Sequence, residues 1–136
     1  MSQTKNIVLF CLVAALMVIG CSSSTTPSAP LANFSPEIVN NVDAFSFQIT
    51  DGENITTTVE YNWENTGTQA TINHSTTTTA GSASMIVYAA DSSQVYTNGL
   101  VASANEPTTV GTAGTWRIRV TFVNYSGTSN FSLQKL

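Results

Sequence analysis

The sequence predicts an all-β protein, an antiparallel β-sandwich of about seven to nine strands that follows a signal helix and a disordered tether. Two observations support this fold class. Beyond Val42, apolar and polar residues alternate with a period of two, as along a half-buried strand. Short segments of this kind are separated by pairs that end in glycine, and no stretch from Val42 to Leu136 has the period of a helix.

Residues 1–20 predict a cleaved export signal. Lys5 gives the polar start a positive charge, and residues 7–19 form an apolar run. A hydrophobic core of roughly 7 to 15 residues is typical of a secretory signal, whereas a membrane-spanning helix needs about 20. The sequence Val18-Ile19-Gly20-Cys21 resembles the lipobox of bacterial lipoproteins. The resemblance implies cleavage before Cys21 and a lipidated N-terminus that carries diacylglycerol and palmitate.

The alternative is an ordinary secretory signal in which Cys21 stays unmodified or joins a disulfide. Cys11 leaves with the leader, so lipid attachment gives the remaining thiol of an exported chain a role. Diacylglycerol supplies the two chains that stable anchoring requires. The predicted partner is therefore a lipid bilayer, and the predicted location is the bacterial cell envelope. An aspartate after the cysteine tends to retain such lipoproteins in the inner membrane, so Ser22 favours the outer membrane in a Gram-negative host.

Residues 21–30 predict a flexible tether, because Ser, Thr and Pro dominate and no large apolar side chain could join a core. A single domain is predicted over residues 31–136, which is a common domain size of about 100 residues. Phe34 and Ile38 are expected to lie against this domain.

Three segments show the strand alternation most clearly, and their apolar members predict the core: Phe45, Phe47 and Ile49; Val59, Tyr61 and Trp63; Trp116, Ile118, Val120 and Phe122. Residues 83–90 are apolar on both faces and predict an interior strand.

The glycine pairs predict hairpins. Directly opposed residues lie on the same face of a sheet, so a correct register should set apolar residues opposite apolar residues, a test that we call parity. A two-residue turn at Ser126-Gly127 would set Phe122 against Phe131. The same turn at Thr66-Gly67 would set Trp63 against Ala70. At Asp51-Gly52 a two-residue turn fails this test, so we expect a bulged turn there or strands in different sheets.

Three patches resemble the bacterial pre-peptidase C-terminal domain: Asp43-Ala44-Phe45-Ser46-Phe47, Met85-Ile86-Val87-Tyr88-Ala89-Ala90-Asp91, and Gly114-Thr115-Trp116-Arg117-Ile118-Arg119-Val120 with Gly127 and Phe131-Ser132-Leu133. The resemblance implies a jelly-roll-like sandwich that serves binding or secretion. Members often carry an acidic pair ahead of the central strand. This chain has Ser82-Ala83-Ser84 instead, which argues against a calcium site of that kind.

Charge and composition narrow the function. Without the leader, the chain has eight carboxylates and three basic residues, Arg117, Arg119 and Lys135. Nucleic-acid binding depends largely on basic residues that neutralise phosphates, so no nucleic-acid partner is predicted. His74 is the only histidine, and we interpret it as a structural or surface histidine near a strand end. One histidine with a lipidated cysteine cannot build a zinc site. No cofactor is predicted.

Two kinds of binding site remain as weaker candidates. Asp51, Glu53 and Asn54 could offer oxygen ligands to calcium, although an acidic turn is usually only a turn. Tyr88 points away from the Met85 face, and Tyr96 and Tyr125 flank turns. Exposed tyrosines of this kind can stack on sugars or anchor a protein partner.

The sequence therefore predicts a lipid-anchored, non-catalytic β-sandwich that binds a protein or carbohydrate or has a structural role at the bacterial envelope. The alternative is a small envelope hydrolase, or an accessory subunit of an exported hydrolase or protease. A cleft with His74 beside a serine and a carboxylate would favour the alternative.

Overall fold

A computed structural model describes residues 29–136. The predicted signal peptide, Cys21 and the tether up to residue 28 lie outside these residues. A short 3₁₀ helix, Ala29–Phe34, precedes six strands: β1 (Glu37–Asn41), β2 (Ala44–Asn65), β3 (Ala70–Tyr88), β4 (Gln94–Gly99), β5 (Ala104–Pro107) and β6 (Gly114–Lys135). The predicted all-β class is confirmed, and residues 42–136 contain no helix. Within residues 29–136, no helix combines the length and hydrophobicity that crossing a bilayer requires.

The three long strands β2, β3 and β6 each contribute to two layers. All pairing is antiparallel, and β6 lies between β2 and β3. The first layer contains β1, residues 44–49 of β2, 129–134 of β6, 70–78 of β3, and β5. The second layer contains residues 57–65 of β2, 114–122 of β6, 82–88 of β3, and β4. The described residues thus contain six strands of a sandwich-like fold, fewer than the seven to nine predicted, because β2, β3 and β6 each run through both layers.

Aromatic side chains join the two layers. The ring of Phe47 in the first layer lies 5.9 Å from that of Tyr61 and 6.4 Å from that of Phe122, both in the second layer. Trp63 and Trp116 are 1% and 0% exposed and meet edge to face at 5.8 Å. The core positions predicted from parity are therefore confirmed. Each such side chain contributes roughly 1.5–3 kcal/mol by leaving water.

Two predicted hairpins are wrong. Ser126-Gly127 lies inside β6, and the strand runs through this pair without reversing. Phe122 consequently pairs with Thr57 and Ala83 instead of Phe131. β2 and β3 do follow each other across Thr66-Gly67, but they do not pair, because β6 is inserted between them.

The third glycine pair, Asp51-Gly52, also lies inside a continuous strand. The register between β2 and β6 shifts three times between Ile49 and Thr57, and the segments on either side belong to different layers. The expected bulged turn and the alternative of strands in different sheets are therefore both wrong at this position, because β2 is one strand of a single sheet that bends at these register shifts. The predicted interior strand is confirmed, since residues 84–88 of β3 lie between β4 and β6.

The bend passes through all three long strands at residues with positive φ. Asp51 and Asn54 in β2 have φ of 50° and 48°, Gly81 in β3 has 68°, and Asn124 and Gly127 in β6 have 46° and 140°. This left-handed region is open to glycine and is tolerated by Asn and Asp. These residues therefore mark the bend that crosses the sheet. Each of the three strands continues past them, so a positive φ by itself does not reverse a strand.

Hydroxyl side chains replace ladder hydrogen bonds that the bend interrupts. The backbone amide of Asn54 donates to Ser126 Oγ at 3.0 Å, and the backbone amide of Asn124 donates to Thr56 Oγ1 at 2.9 Å. Thr79 Oγ1 donates to the carbonyl of Ser126 at 3.0 Å. Short hydroxyl residues are well suited to this role, because they can satisfy nearby backbone groups.

The opposite end of the sandwich is closed by Asp43, Thr66 and Lys135. The Asp43 carboxylate accepts hydrogen bonds from the Thr66 amide at 2.8 Å and from Lys135 Nζ at 2.6 Å. The hydrogen bond from Lys135, followed by that from the Thr66 amide, lowers the pKa of Asp43 below its ordinary value. Phe34 and Ile38 pack against the core, as predicted.

Candidate functional site

The outer side of the second layer carries the clearest surface cluster in the described residues. We call it the Tyr88 face, and it consists of Tyr88, Arg117, Arg119 and Glu60. Strand pairing builds it, because Tyr88 lies opposite Arg117, and Glu60 lies opposite Arg119. All four side chains point away from the core, since the residues beside them, such as Val87 and Ile118, are buried.

Both arginines lie over the ring of Tyr88. The guanidinium carbon of Arg117 is 4.6 Å from the ring centroid, and that of Arg119 is 5.7 Å away. These distances fall in the range of cation–π attraction. The half-buried ring of Tyr88 is thus accompanied by two arginine side chains on the same outer side of the sheet.

The two arginines differ in their ionic partners. Arg119 donates a hydrogen bond from Nε to Glu60 Oε1, and this pair raises the pKa of Arg119. Arg117 lies opposite Asn62 on β2 and forms no salt bridge in the described part of the chain. Its Nε is buried and has no hydrogen-bond partner there. Arg117 therefore carries a positive charge that no carboxylate within residues 29–136 neutralises.

The other two candidate tyrosines are buried. Tyr96 is 8% exposed, because a register shift between Val87 and Tyr88 turns both Val95 and Tyr96 toward the interior. Tyr125 is fully buried, since the positive φ of Asn124 breaks the alternation that would have directed it outward. Neither side chain offers a surface to a partner, so among the predicted tyrosines only Tyr88 remains.

His74 is 2% exposed, and neither ring nitrogen has a hydrogen-bond partner within residues 29–136. It lies opposite Phe131 in the interior of the first layer. A general base must reach the proton that it removes. The structure therefore keeps the one imidazole of this chain away from any substrate in solution.

The loop candidates for calcium lie at the bend. Asp51, Glu53 and Asn54 line an open depression of about 540 Å³ together with Thr79 and Ser126. All three of the predicted ligands are exposed. Among residues 29–136, no three or more Asp, Glu, His or Cys side chains gather as a metal site would require. The predicted ligands lie together at the bend of β2, and no further carboxylate lines this depression.

No model of a known protein family matches this chain, and a search of curated proteins found no match. The resemblance to the pre-peptidase C-terminal domain and to the lipobox consequently stays a prediction from the residues quoted above.

Sequence reasoning found Tyr88 but missed the two arginines beside it. The alternation from Trp116 to Val120 does show that Arg117 and Arg119 share the outward side. The missing information was that β3 and β6 are neighbours, because only this pairing brings Tyr88 under both guanidinium groups.

Proposed function

We propose that this protein is a lipid-anchored, non-catalytic β-sandwich that holds a partner at the bacterial cell envelope. The anchor would be a diacylglyceryl group on Cys21, and the tether would link it to the folded domain. The lipobox-like sequence Val18-Ile19-Gly20-Cys21 supports the location. The Tyr88 face supports the binding role.

The Tyr88 face is the main support for a binding role, because it combines an aromatic ring with two cations on a sheet surface. An aromatic ring provides apolar contact area, and arginine can bind planar or carboxylate groups through two hydrogen bonds. Arg117 has no carboxylate partner in residues 29–136, so binding a ligand there would not require an ion pair to break. The burial of His74 favours this role over that of a hydrolase.

The location is tested by fractionating cells that express the full chain and by mass spectrometry of the mature N-terminus. We expect a lipidated Cys21 and a membrane-bound protein. The Cys21→Ala variant should leave the membrane fraction, whereas Cys11→Ala should remain there, because Cys11 belongs to the leader. An unmodified and uncleaved N-terminus would contradict the proposed anchor.

The binding role is tested separately with Tyr88→Ser and Arg117→Ser in the full chain. The probes are a polysaccharide that contains uronic acids, a neutral polysaccharide and an envelope-protein extract. Losing the aromatic contact area of Tyr88 or a charged hydrogen bond from Arg117 should weaken binding roughly tenfold. Asn130→Ser, on the outer side of the first layer, is the matched control. Equal binding by all four proteins would show that the Tyr88 face is not the binding surface.

A further inference from the structure

The interior of the first layer changes from apolar to polar along β3. Ala70 and Ile72 are fully buried and apolar, and the next inward positions carry polar side chains. Polar side chains on β6 approach the same region. Together they form what we call the buried polar cluster: His74, Thr76, Thr78, Tyr125 and Ser129.

Unpartnered polar atoms are concentrated in this cluster. Within residues 29–136, eight buried side-chain nitrogen or oxygen atoms have no hydrogen-bond partner, and six of them belong to it. They are both ring nitrogens of His74 and the four hydroxyl oxygens. His74, Tyr125 and Ser129 are 2%, 0% and 0% exposed, so bulk water does not reach these groups. Their concentration in one place indicates a shared cause.

Strand register brings these groups together. Thr76 lies directly opposite Ser129, and His74 lies two positions further along β3 on the same side. Opposed residues have Cβ atoms about 4.5–5.5 Å apart. Burial raises the pKa of Tyr125, whose hydroxyl lies near those of Thr78 and Ser129. These hydroxyls are nevertheless not in hydrogen-bonding geometry.

A dry cluster of this kind would be costly. A buried donor or acceptor without a partner loses its hydrogen bonds to water and gains none in return. Six such atoms would together rival the net stability of a small domain. Buried polar groups in folded proteins are therefore almost always satisfied by protein or by ordered water.

We propose that the buried polar cluster is an internal water-binding site. A buried water makes about three hydrogen bonds, so about two molecules would satisfy six atoms. Water is suited to this mixture, since it can both donate and accept hydrogen bonds and each hydroxyl of the cluster can act as either donor or acceptor.

The edge of β3 offers a route for this water. On the side away from β6, β5 pairs with residues 71–74 of β3, and β4 pairs with residues 84–88. Residues 75–83 have no strand partner on that side in the described chain. Thr76 and Thr78, which are half-buried, belong to this uncovered stretch. Water can therefore reach the cluster through a local opening, without global unfolding.

The direct test is magnetic relaxation dispersion of the water oxygen, recorded on the full chain in detergent micelles and corrected with empty micelles. This measurement detects long-lived water molecules and is insensitive to exchange of hydroxyl protons. We expect a dispersion that corresponds to about two internal waters. No dispersion above the empty-micelle reference would overturn the proposal.

Two conservative variants locate the water. Ser129→Ala and Tyr125→Phe each remove one hydroxyl, and each should reduce the dispersion amplitude by about half, since a water that loses one of about three partners is held less firmly. Thr97→Val, which removes an exposed hydroxyl from β4, is the matched control and should leave the amplitude unchanged. An unchanged amplitude in both cluster variants would place the water elsewhere and overturn the assignment.

Thermal unfolding of the same variants distinguishes a hydrated cluster from a dry one. The result does not depend on the function proposed above. If the cluster is hydrated, Ser129→Ala and Tyr125→Phe should each lower Tm by several degrees, because the bound water loses a partner. An equal or higher Tm would mean that each substitution had removed an unsatisfied group, and the proposed hydration would be wrong. If one variant does not fold, the other still shows whether losing a hydroxyl lowers or raises Tm.

Discussion

The two halves of β3 differ although they belong to one strand and pair with the same neighbour, β6. On the inward side, the half in the second layer carries Ala83, Met85 and Val87, which are all buried and apolar. The half in the first layer passes from Ile72 to the buried polar cluster around His74. The inward side chains of one half therefore contribute apolar packing, whereas those of the other half include polar groups that need hydrogen-bond partners.

Buried side chains are apolar in the half of β3 that is paired on both edges, and they include polar groups in the half where one edge has no strand partner. The apolar half has partners on both sides, since β4 and β6 pair with residues 84–88. The polar half extends beyond the end of β5, and one of its edges is open in the described chain. Polar side chains are tolerated there because water can enter through that edge.

The largest expected effect is in the apolar half. Met85→Ala should lower the free energy of unfolding by about 2–5 kcal/mol, because it removes a fully buried side chain and leaves a cavity. Chemical denaturation monitored by tryptophan fluorescence measures this change. Ser84→Ala, on the outward side of the same strand, is the control and should change stability by less than about 0.5 kcal/mol. Equal losses from both variants would mean that the core lies elsewhere.

The junction between the two halves should be nearly as sensitive. Gly81 has a φ of 68°, and a Cβ built there would lie only 2.2 Å from the carbonyl oxygen of Asn124. Gly81→Ala should therefore cost about 1–3 kcal/mol through backbone strain, with more from displacement of β6. At Gly99 the nearest atom to such a Cβ is 3.8 Å away, so Gly99→Ala is the matched control. A neutral Gly81→Ala would show that the bend is not fixed at this residue.

A smaller loss is expected in the polar half. Thr76→Val keeps the shape of the side chain but removes its hydroxyl, so a hydrated cluster should lose about 0.5–1.5 kcal/mol. The same exchange at exposed Thr97 should have almost no effect. Urea denaturation of both variants measures the difference. A stabilised Thr76→Val would indicate that this half is as dry as its apolar counterpart.

The smallest effects concern the carboxylates near the two ends of β3. Asp43 contacts Thr66 just before the strand, and Asp91 accepts hydrogen bonds from Ser93 and Thr112 just after it. Hydrogen bonds from Lys135 and Thr66 lower the pKa of Asp43, and those from Ser93 and Thr112 lower the pKa of Asp91. Each contribution is therefore fully present above the ordinary value of 3.8 and disappears as the pH falls through the lowered pKa.

We accordingly expect the Tm of the wild type to fall more steeply below pH 4 than that of Asp43→Asn or Asp91→Asn, where pH 4 is approximately the ordinary pKa of an aspartate. Added salt should distinguish the two sites. It should weaken the contribution of Asp43, whose partner is the charged Lys135, and leave that of Asp91 unchanged, since its partners are neutral. Identical pH profiles for all three proteins would contradict both assignments.

Local sequence patterns predicted the inward side of most strands, and the reason is visible at Trp63 and Trp116. Successive side chains of a strand point to opposite faces, so parity follows from the chain alone wherever the strand is regular. Tyr96 and Tyr125 were expected to be exposed because they flank predicted turns, but a register shift and a residue with positive φ direct them inward.

The sequence by itself determined the all-β class, the apolar core positions of the regular segments and the positions where the backbone must depart from a straight strand. Only the tertiary structure decided that the glycine pairs at 52, 81 and 127 bend three neighbouring strands without reversing them, and that β6 lies between β2 and β3. It also decided that Tyr88 meets Arg117 and that His74 joins a buried polar cluster. The physical reason is the separation along the chain of the residues that interact. Side-chain alternation depends on adjacent peptide units, whereas strand pairing depends on contacts between residues far apart in the sequence.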